Sequence, residues 1–228
     1  MAGPRPACHH PAAAGHRPRF RTDPQRADAS VGALRGRTPA AGREADMSPT
    51  TVPSMELVDL QDRKQLRGAF GSFPTGVTVV TVGGDSPRGM TANSFTSVSL
   101  SPPLLLICVG KDAVMHGSLD RSPTFSVSVL DADQEAVARH FADHSRPAGA
   151  GQFDAVGWQP GHKTGAPLIA GAVAHLECEK RQMYEGGDHT VFLGEVIAAA
   201  RWPLREALLF SGGCFRRFGP EHAEGRVT

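Results

Sequence analysis

No apolar run in the chain approaches the roughly 18–20 residues that a membrane-spanning helix needs. Cysteine is scarce: Cys8, Cys108, Cys178 and Cys214 are far apart, with no CxxC pair and no Cys/His cluster. That spacing argues against a zinc site, offers no disulfide framework, and suits a reducing cytoplasm. Also missing are a strand–GxGxxG–helix unit and a GxxxxGKS/T loop, which argues against a Rossmann domain or a P-loop. There is no GxSxG nucleophile elbow and no HExxH metal helix. No metal ligand set is expected.

Net charge is also nearly absent, at +1 over 228 residues, but it is unevenly placed. Residues 1–46 hold eight Arg, no Lys and four acids, among many Ala, Pro, Gly and His. The remaining 182 residues carry 16 basic and 19 acidic groups. A basic arm of that composition cannot bury enough apolar surface to offset its ordering entropy, so disorder is expected. A transit sequence fits poorly because acids interrupt it. A nucleic-acid arm fits poorly because its cations are spread out and lack interleaved aromatics. Met47 or Met55 is expected to start the functional protein, with residues 1–54 an extension or a mis-assigned start, 55–220 one domain, and 221–228 a tail.

What is present points to a β-rich domain. Asp59–Phe73 reads as a helix with Leu66, Ala69, Phe70 and Phe73 on one face, ended by Pro74. Val77–Val82 reads as a β-branched strand, and residues 83–87 as a turn. Arg88–Val109 then reads as two strands meeting at a Ser-Pro-Pro corner. The first is a polar ribbon with Thr91, Asn93, Ser94, Thr96, Ser97 and Ser99; the second is continuously apolar. Lys111–Leu119 predicts a short helix, Thr124–Leu130 a half-buried strand, and Asp131 or Asp133 a cap for a helix through His140 and Phe141. Residues 143–168 form a long Gly/Pro-rich excursion pinned by Phe153, Val156 and Trp158. Strands around 172–184 and 189–199 meet at Glu185-Gly186-Gly187-Asp188, a hairpin signal, and two short pieces at 207–210 and 214–218 close the domain. Six or seven strands at hairpin spacing suggest an antiparallel barrel.

The residues alone leave the chemistry open. The ribbon is either a strand's solvent face or a wall for a small, hydrogen-bonding, phosphorylated ligand, with Gly89 permitting close approach. His189 is either a hairpin residue or a pocket-rim hydrogen-bonder. Cys108 reads as packing, since no activating cation is evident. Asp112 and His116 read as a surface pair on a helix.

The order of motifs adds a family. Phe73-Pro74-Thr75-Gly76-Val77, then VTVVT, TANSFTSVSLSPPL, FSVSVL from Phe125, and Gly187-Asp188-His189 with a strand reaching Gly194-Glu195-Val196, together resemble the flavin reductase family over roughly residues 60–218. The resemblance implies a mainly β, FMN-binding split β-barrel with a few helices, acting as a homodimer in the cytoplasm. It implies FMN or FAD as the flavin and NADH or NADPH as hydride donor. Reduced flavin would diffuse to a partner monooxygenase, with no nucleic acid or membrane involved.

Carried over by position, the resemblance puts Gly89, Met90, Thr91, Asn93 and Ser94 along the flavin. Cys108, Val109 and Lys111 fall near its ribityl phosphate, and His140 and Phe141 near its distal part. Phe210, Ser211, Gly212 and Gly213 fall beside the nicotinamide, which His189 orients. The chain departs from the family at Lys111–His116, where many relatives carry Ser or Thr, and at Gly213-Cys214-Phe215, where Gly-Arg-Tyr is common. Two other readings remain: a split-barrel enzyme that keeps its flavin and reduces another acceptor, and a non-catalytic flavin- or haem-binding module.

Overall fold

A computed structural model describes residues 55–218, so the expected arm and tail lie outside the described residues. The helix expected after Asp59 forms as α1 (Arg63–Gly71), where the Asp62 carboxylate accepts from the amides of Lys64 and Gln65 and caps the first turn. There follow β1 (Thr75–Gly76), β2 (Thr78–Val82), β3 (Arg88–Ala92), β4 (Thr96–Leu100) and β5 (Pro103–Gly110). The central part holds α2 (Val114–Arg121), β6 (Thr124–Val129), α3 (Glu135–Ala142), a 3-10 turn at Gly149–Phe153, β7 (Trp158–Pro160) and β8 (Pro167–Ile169). The long hairpin β9 (Ala174–Gly186) and β10 (His189–Arg201) and the short β11 (Leu209–Ser211) and β12 (Cys214–Arg216) complete the described chain.

One sheet dominates. Its order is β3-β2-β6-β9-β10-β5-β4, antiparallel at every pairing. Its two edge strands, β3 and β4, are consecutive in the chain and joined only by Asn93–Phe95. Seven strands laid flat would put the edges roughly 29 Å apart at about 4.8 Å per pairing. A three-residue link spans at most roughly 14 Å. The sheet must therefore curl into a barrel, with a seam between β3 and β4 that no ladder closes. Helix α2 packs against β3 and β5 at that seam.

Two apolar clusters follow from the period-2 alternation of the strands. Val80 and Val82 turn inward with Leu105, Ile107, Val109, Phe125, Val127 and Phe192. Val77 and Val79 turn outward, under Leu130, Ala138, Phe141, Phe153 and Ile169 from α3 and the 143–169 excursion. Because that excursion lies over the sheet, β6 is buried on both faces, which corrects the half-buried expectation. Its outer hydroxyls are satisfied: Ser126 Oγ meets Thr164 Oγ1 at 2.8 Å, and Ser128 Oγ accepts from the Ile169 amide at 3.0 Å.

Other expectations change in detail. The ribbon is not one strand but two on opposite edges of the sheet, broken at Asn93–Phe95. Asp131 and Asp133 do not cap α3; Asp131 accepts from the Asp133 amide in a turn and Gln134 takes the cap position. Asp112 lies before α2 rather than on it, and His116 meets Thr190 instead. The apolar face of α1 is not covered: Phe70 and Phe73 are 72% and 75% exposed. Phe153 is buried and Trp158 packs its ring 5.7 Å away, as the pinning reading expects.

Gly194 on β10 sits where no side chain fits, since a Cβ there would come within 2.5 Å of the Phe125 ring and 3.1 Å of Cys178 Cβ. Gly194→Ala should overpack the barrel interior and cost about 1–3 kcal/mol. Urea unfolding should show a lower midpoint at unchanged slope; an unchanged midpoint would mean that Phe125 has room to yield.

Candidate functional site

The curled sheet places the candidate site at its seam. Two clefts flank the start of α2. The first, about 200 Å³, is walled by Met90 and Thr91 of β3, Ala113–Met115 at the head of α2, and Phe141 and Ala142 of α3, with Arg88, His144 and Arg146 at its rim. The second, about 510 Å³, lies between His116 and Asp120 of α2 and Lys111, Met183, Tyr184, Glu185 and Thr190 of the β5 and β9–β10 ends.

Along β3, backbone groups of alternate residues turn to the same side. The Gly89 amide donates to Gln152 Oε1 at 2.8 Å, and its carbonyl accepts from Arg146, so these groups face away from β2. Two residues on, Thr91 turns its own N–H and C=O toward that edge, beside the first cleft. Its hydroxyl is already engaged, donating to the Ala138 carbonyl at 2.7 Å. Ser94 is engaged in the same way: its hydroxyl donates to the Cys108 carbonyl at 2.7 Å and accepts from the Cys108 amide at 3.1 Å. These two hydroxyls hold the fold rather than stand free.

The rim is cationic and poorly neutralised. Arg146 reaches the carbonyls of Gly89 and Asp143, and its guanidinium lies 5.9 Å from the Phe141 ring centre. Its Nε is buried with no hydrogen-bond partner among the described residues, which costs roughly 1–3 kcal/mol. Burial first, and then neighbouring Arg88, pull this guanidinium below its ordinary range, and Asp143 only partly offsets them. Asp143 itself accepts from the amide and hydroxyl of Ser145, which hold its carboxyl below the usual carboxylate range. Arg88 and Arg146 form no ion pair among the described residues.

His189 opens β10 opposite Gly110. Its Nδ1 lies 2.7 Å from Asp188 Oδ1. A carboxylate can only accept, so Nδ1 carries a proton, and in the neutral ring Nε2 is then an acceptor on the Gly110 side. The His189 hydrogen bond, then its charge, then Arg63 of α1 hold the Asp188 carboxyl below its usual range. Lys111 pairs with Glu185 across the mouth of the second cleft, and that contact lowers the Glu185 carboxyl.

The residues singled out in the sequence are thus divided. Met90, Thr91 and Phe141 meet in the first cleft, and Lys111 borders the second. Gly89 and Val109 face protein. A Cβ on Gly89 would come within 2.6 Å of the Phe141 ring, so its glycine serves packing rather than ligand approach, and Val109 is sealed in the barrel core. Cys108 is half-buried and burial pushes its thiol up, which agrees with packing. His140 binds the Gln152 carbonyl at 2.7 Å, and Asn93 is exposed in the seam. Phe210 packs on Phe215, while Gly212 and Gly213, both at positive φ, turn the β11–β12 hairpin. Sequence reading missed Arg88, His144 and Arg146. The only signal for them was a pair of arginines, one opening the ribbon and one in the Gly/Pro-rich excursion.

Residues 70–219 match the model of the flavin reductase like domain. The chain belongs to the flavin reductase family. Over 182 residues it is 72% identical to an NADH-dependent FAD reductase of Streptomyces globisporus, covering 80% of this chain and all of that one. Among solved structures it is similar to the NADH:FAD oxidoreductase of Streptomyces globisporus C-1027 in complex with NAD and FAD fragments, at 71% identity and a TM-score of 0.71, covering 74% of this chain and 99% of that one. It is also similar to BorF, the flavin reductase component of a bacterial two-component tryptophan halogenase, at 54% identity and a TM-score of 0.67, covering 70% and 100%.

In this flavin reductase domain the Ser94–Cys108 bridge ties the seam. Ser94→Ala would leave both backbone groups of Cys108 without their side-chain partner, costing about 1–3 kcal/mol. Thermal unfolding should fall by several degrees, and an unchanged midpoint would show that water replaces the hydroxyl.

Proposed function

We propose that this protein is an NADH-dependent flavin reductase that reduces FAD or FMN and releases it to a flavin-dependent partner oxygenase. The observation that carries the reading is the 72% identity, across its whole length, to an NADH-dependent FAD reductase. That relative's name supports NADH over NADPH and FAD as the first flavin to test. The first cleft suits a flavin: an apolar floor from Met90 and Phe141, the β3 edge at Thr91 for ring polar atoms, and arginines for an anionic tail. When bound, flavin supplies the hydride-accepting N5 and its nicotinamide partner the hydride.

The chain's own work is positioning. His189 offers its Nε2 to the nicotinamide carboxamide, and Asp188 fixes that tautomer by holding the Nδ1 proton. No general base is required, which agrees with a site built of walls and hydrogen bonds. Partner chemistry has a second reading: the similarity to BorF favours a flavin-dependent halogenase beside a monooxygenase. The thiols of Cys108, Cys178 and Cys214 are free, which supports a reducing cytoplasm as the place of action.

A homodimer is part of the proposal. A cavity of about 200 Å³ falls below the ~300–1,000 Å³ of ordinary small-molecule sites, so one chain walls only part of a flavin nucleotide. Phe70 of α1 and Phe73 just after it, which the described residues leave bare, supply an apolar surface for a second copy to cover.

The purified protein should oxidise NADH only when FAD or FMN is added in excess. Oxidation with bound flavin and another acceptor, or none at all, would favour the other readings. His189→Ala should raise KM for NADH about tenfold, roughly one ordinary hydrogen bond, while flavin affinity holds; unchanged kinetics would remove the histidine from the site. Light scattering should give about twice the 24.1 kDa chain mass, and Phe70→Asp with Phe73→Asp should halve it. A monomeric wild type would refute the dimer.

A further inference from the structure

We infer that Arg146 and Arg88 form the anion clamp that makes this site take phosphorylated flavins rather than riboflavin, an assignment that rests on the flavin-reductase reading. The family resemblance implies a flavin phosphate near Cys108–Lys111, at the end of β5. The structure offers little there. Val109 is enclosed in the core, both backbone groups of Cys108 are taken by Ser94, and Lys111 is neutralised by Glu185.

The unmatched positive charge lies on the other side of α2. Arg146 and Arg88 share the rim of the first cleft with His144, neither arginine has an ion-pair partner among the described residues, and one buried donor of Arg146 is unmet. Two guanidiniums share this rim, and Arg88 adds to the burial that holds Arg146 below its ordinary range, an arrangement that a dianion relieves. The head of α2, whose cap residue Ala113 makes no side-chain cap bond, borders the same cleft and adds the favourable end of its dipole.

The site is also built rather than incidental. Gln152 is fully buried; its amide donates to the carbonyls of Pro87 and Gly149, and its oxygen accepts from the Gly89 amide. One side chain thereby locks the Arg88 segment of β3 to the loop that carries Arg146. The nicotinamide expectation falls on His189, beside the second cleft, so the occupant of the clamp is the flavin's phosphate or pyrophosphate and not that of NADH.

The test is equilibrium binding, independent of turnover. FMN and riboflavin are titrated by fluorescence quenching, FAD by displacement of FMN, and NADH by its own fluorescence, against wild type, Arg146→Gln, Arg146→Lys and Arg88→Gln. Wild type should hold FMN and FAD at least tenfold more tightly than riboflavin. Arg146→Gln and Arg88→Gln should erase most of that preference while riboflavin affinity moves less than twofold, and Arg146→Lys should restore part of it. Equal loss for riboflavin and FMN would mean that Arg146 only holds the loop, and would overturn the clamp. So would weakening of NADH instead of FMN, or a wild type indifferent to the phosphate. If the clamp behaves as expected but NADH is never oxidised, the reductase reading fails and the clamp stands.

Discussion

Ser94 lies in the three-residue link between β3 and β4, and its hydroxyl both donates to and accepts from the backbone of Cys108 on β5. Two ordinary hydrogen bonds, worth about 1 kcal/mol each, hold the point at which the sheet turns back on itself. The link is too short for a flat seven-stranded sheet, so chain connectivity imposes curvature before any side chain packs. Ladder pairing cannot bridge the β3–β4 seam, and the molecule fills it with α2. Both clefts flank the head of that helix, so the geometry that closes the barrel also creates the places where a ligand can enter.

A second constraint sits outside the barrel. The excursion after α3 is long and poor in regular structure, yet it carries Phe153 into the outer apolar cluster and Gln152 into a fully bonded polar node beneath it. A buried amide is tolerable only when its hydrogen bonds are met, and Gln152 meets them with backbone from β3 and from its own turn. This fixes β3 against the loop and holds Arg146 beside Arg88. The like-charge proximity there is unfavourable by itself, so the rim is held together at the expense of some stability. Gly89 belongs to the same node, its absent side chain making room for Phe141.

The local patterns of the chain were largely legible. β-branched runs, the Gly-rich turns at 83–87 and 186–188, and the apolar 104–109 stretch each specify a strand or hairpin by short-range sterics, and β2, β5, β9 and β10 form close to where those patterns lie. Motif order specified the family, because FPTGV, the ribbon and Gly187-Asp188-His189 recur together. What stayed hidden depends on neighbours distant in sequence. Ser126 and Ser128 read as solvent-facing, but the excursion covers them. Phe70 and Phe73 read as core, but nothing among the described residues covers them.

The sequence by itself determined the β-rich class, the hairpins, the family and the region of the site. Those follow from local backbone preference and from residues in a set order. Tertiary structure alone decided which residues of that region line a cleft. It turned Thr91 and Ser94 into struts, sealed Val109 inside the barrel, and brought Arg88 and Arg146, 58 residues apart in the chain, to one rim. The physical reason is that a strand's alternation gives each side chain a face, but only the closure of the sheet says what that face meets.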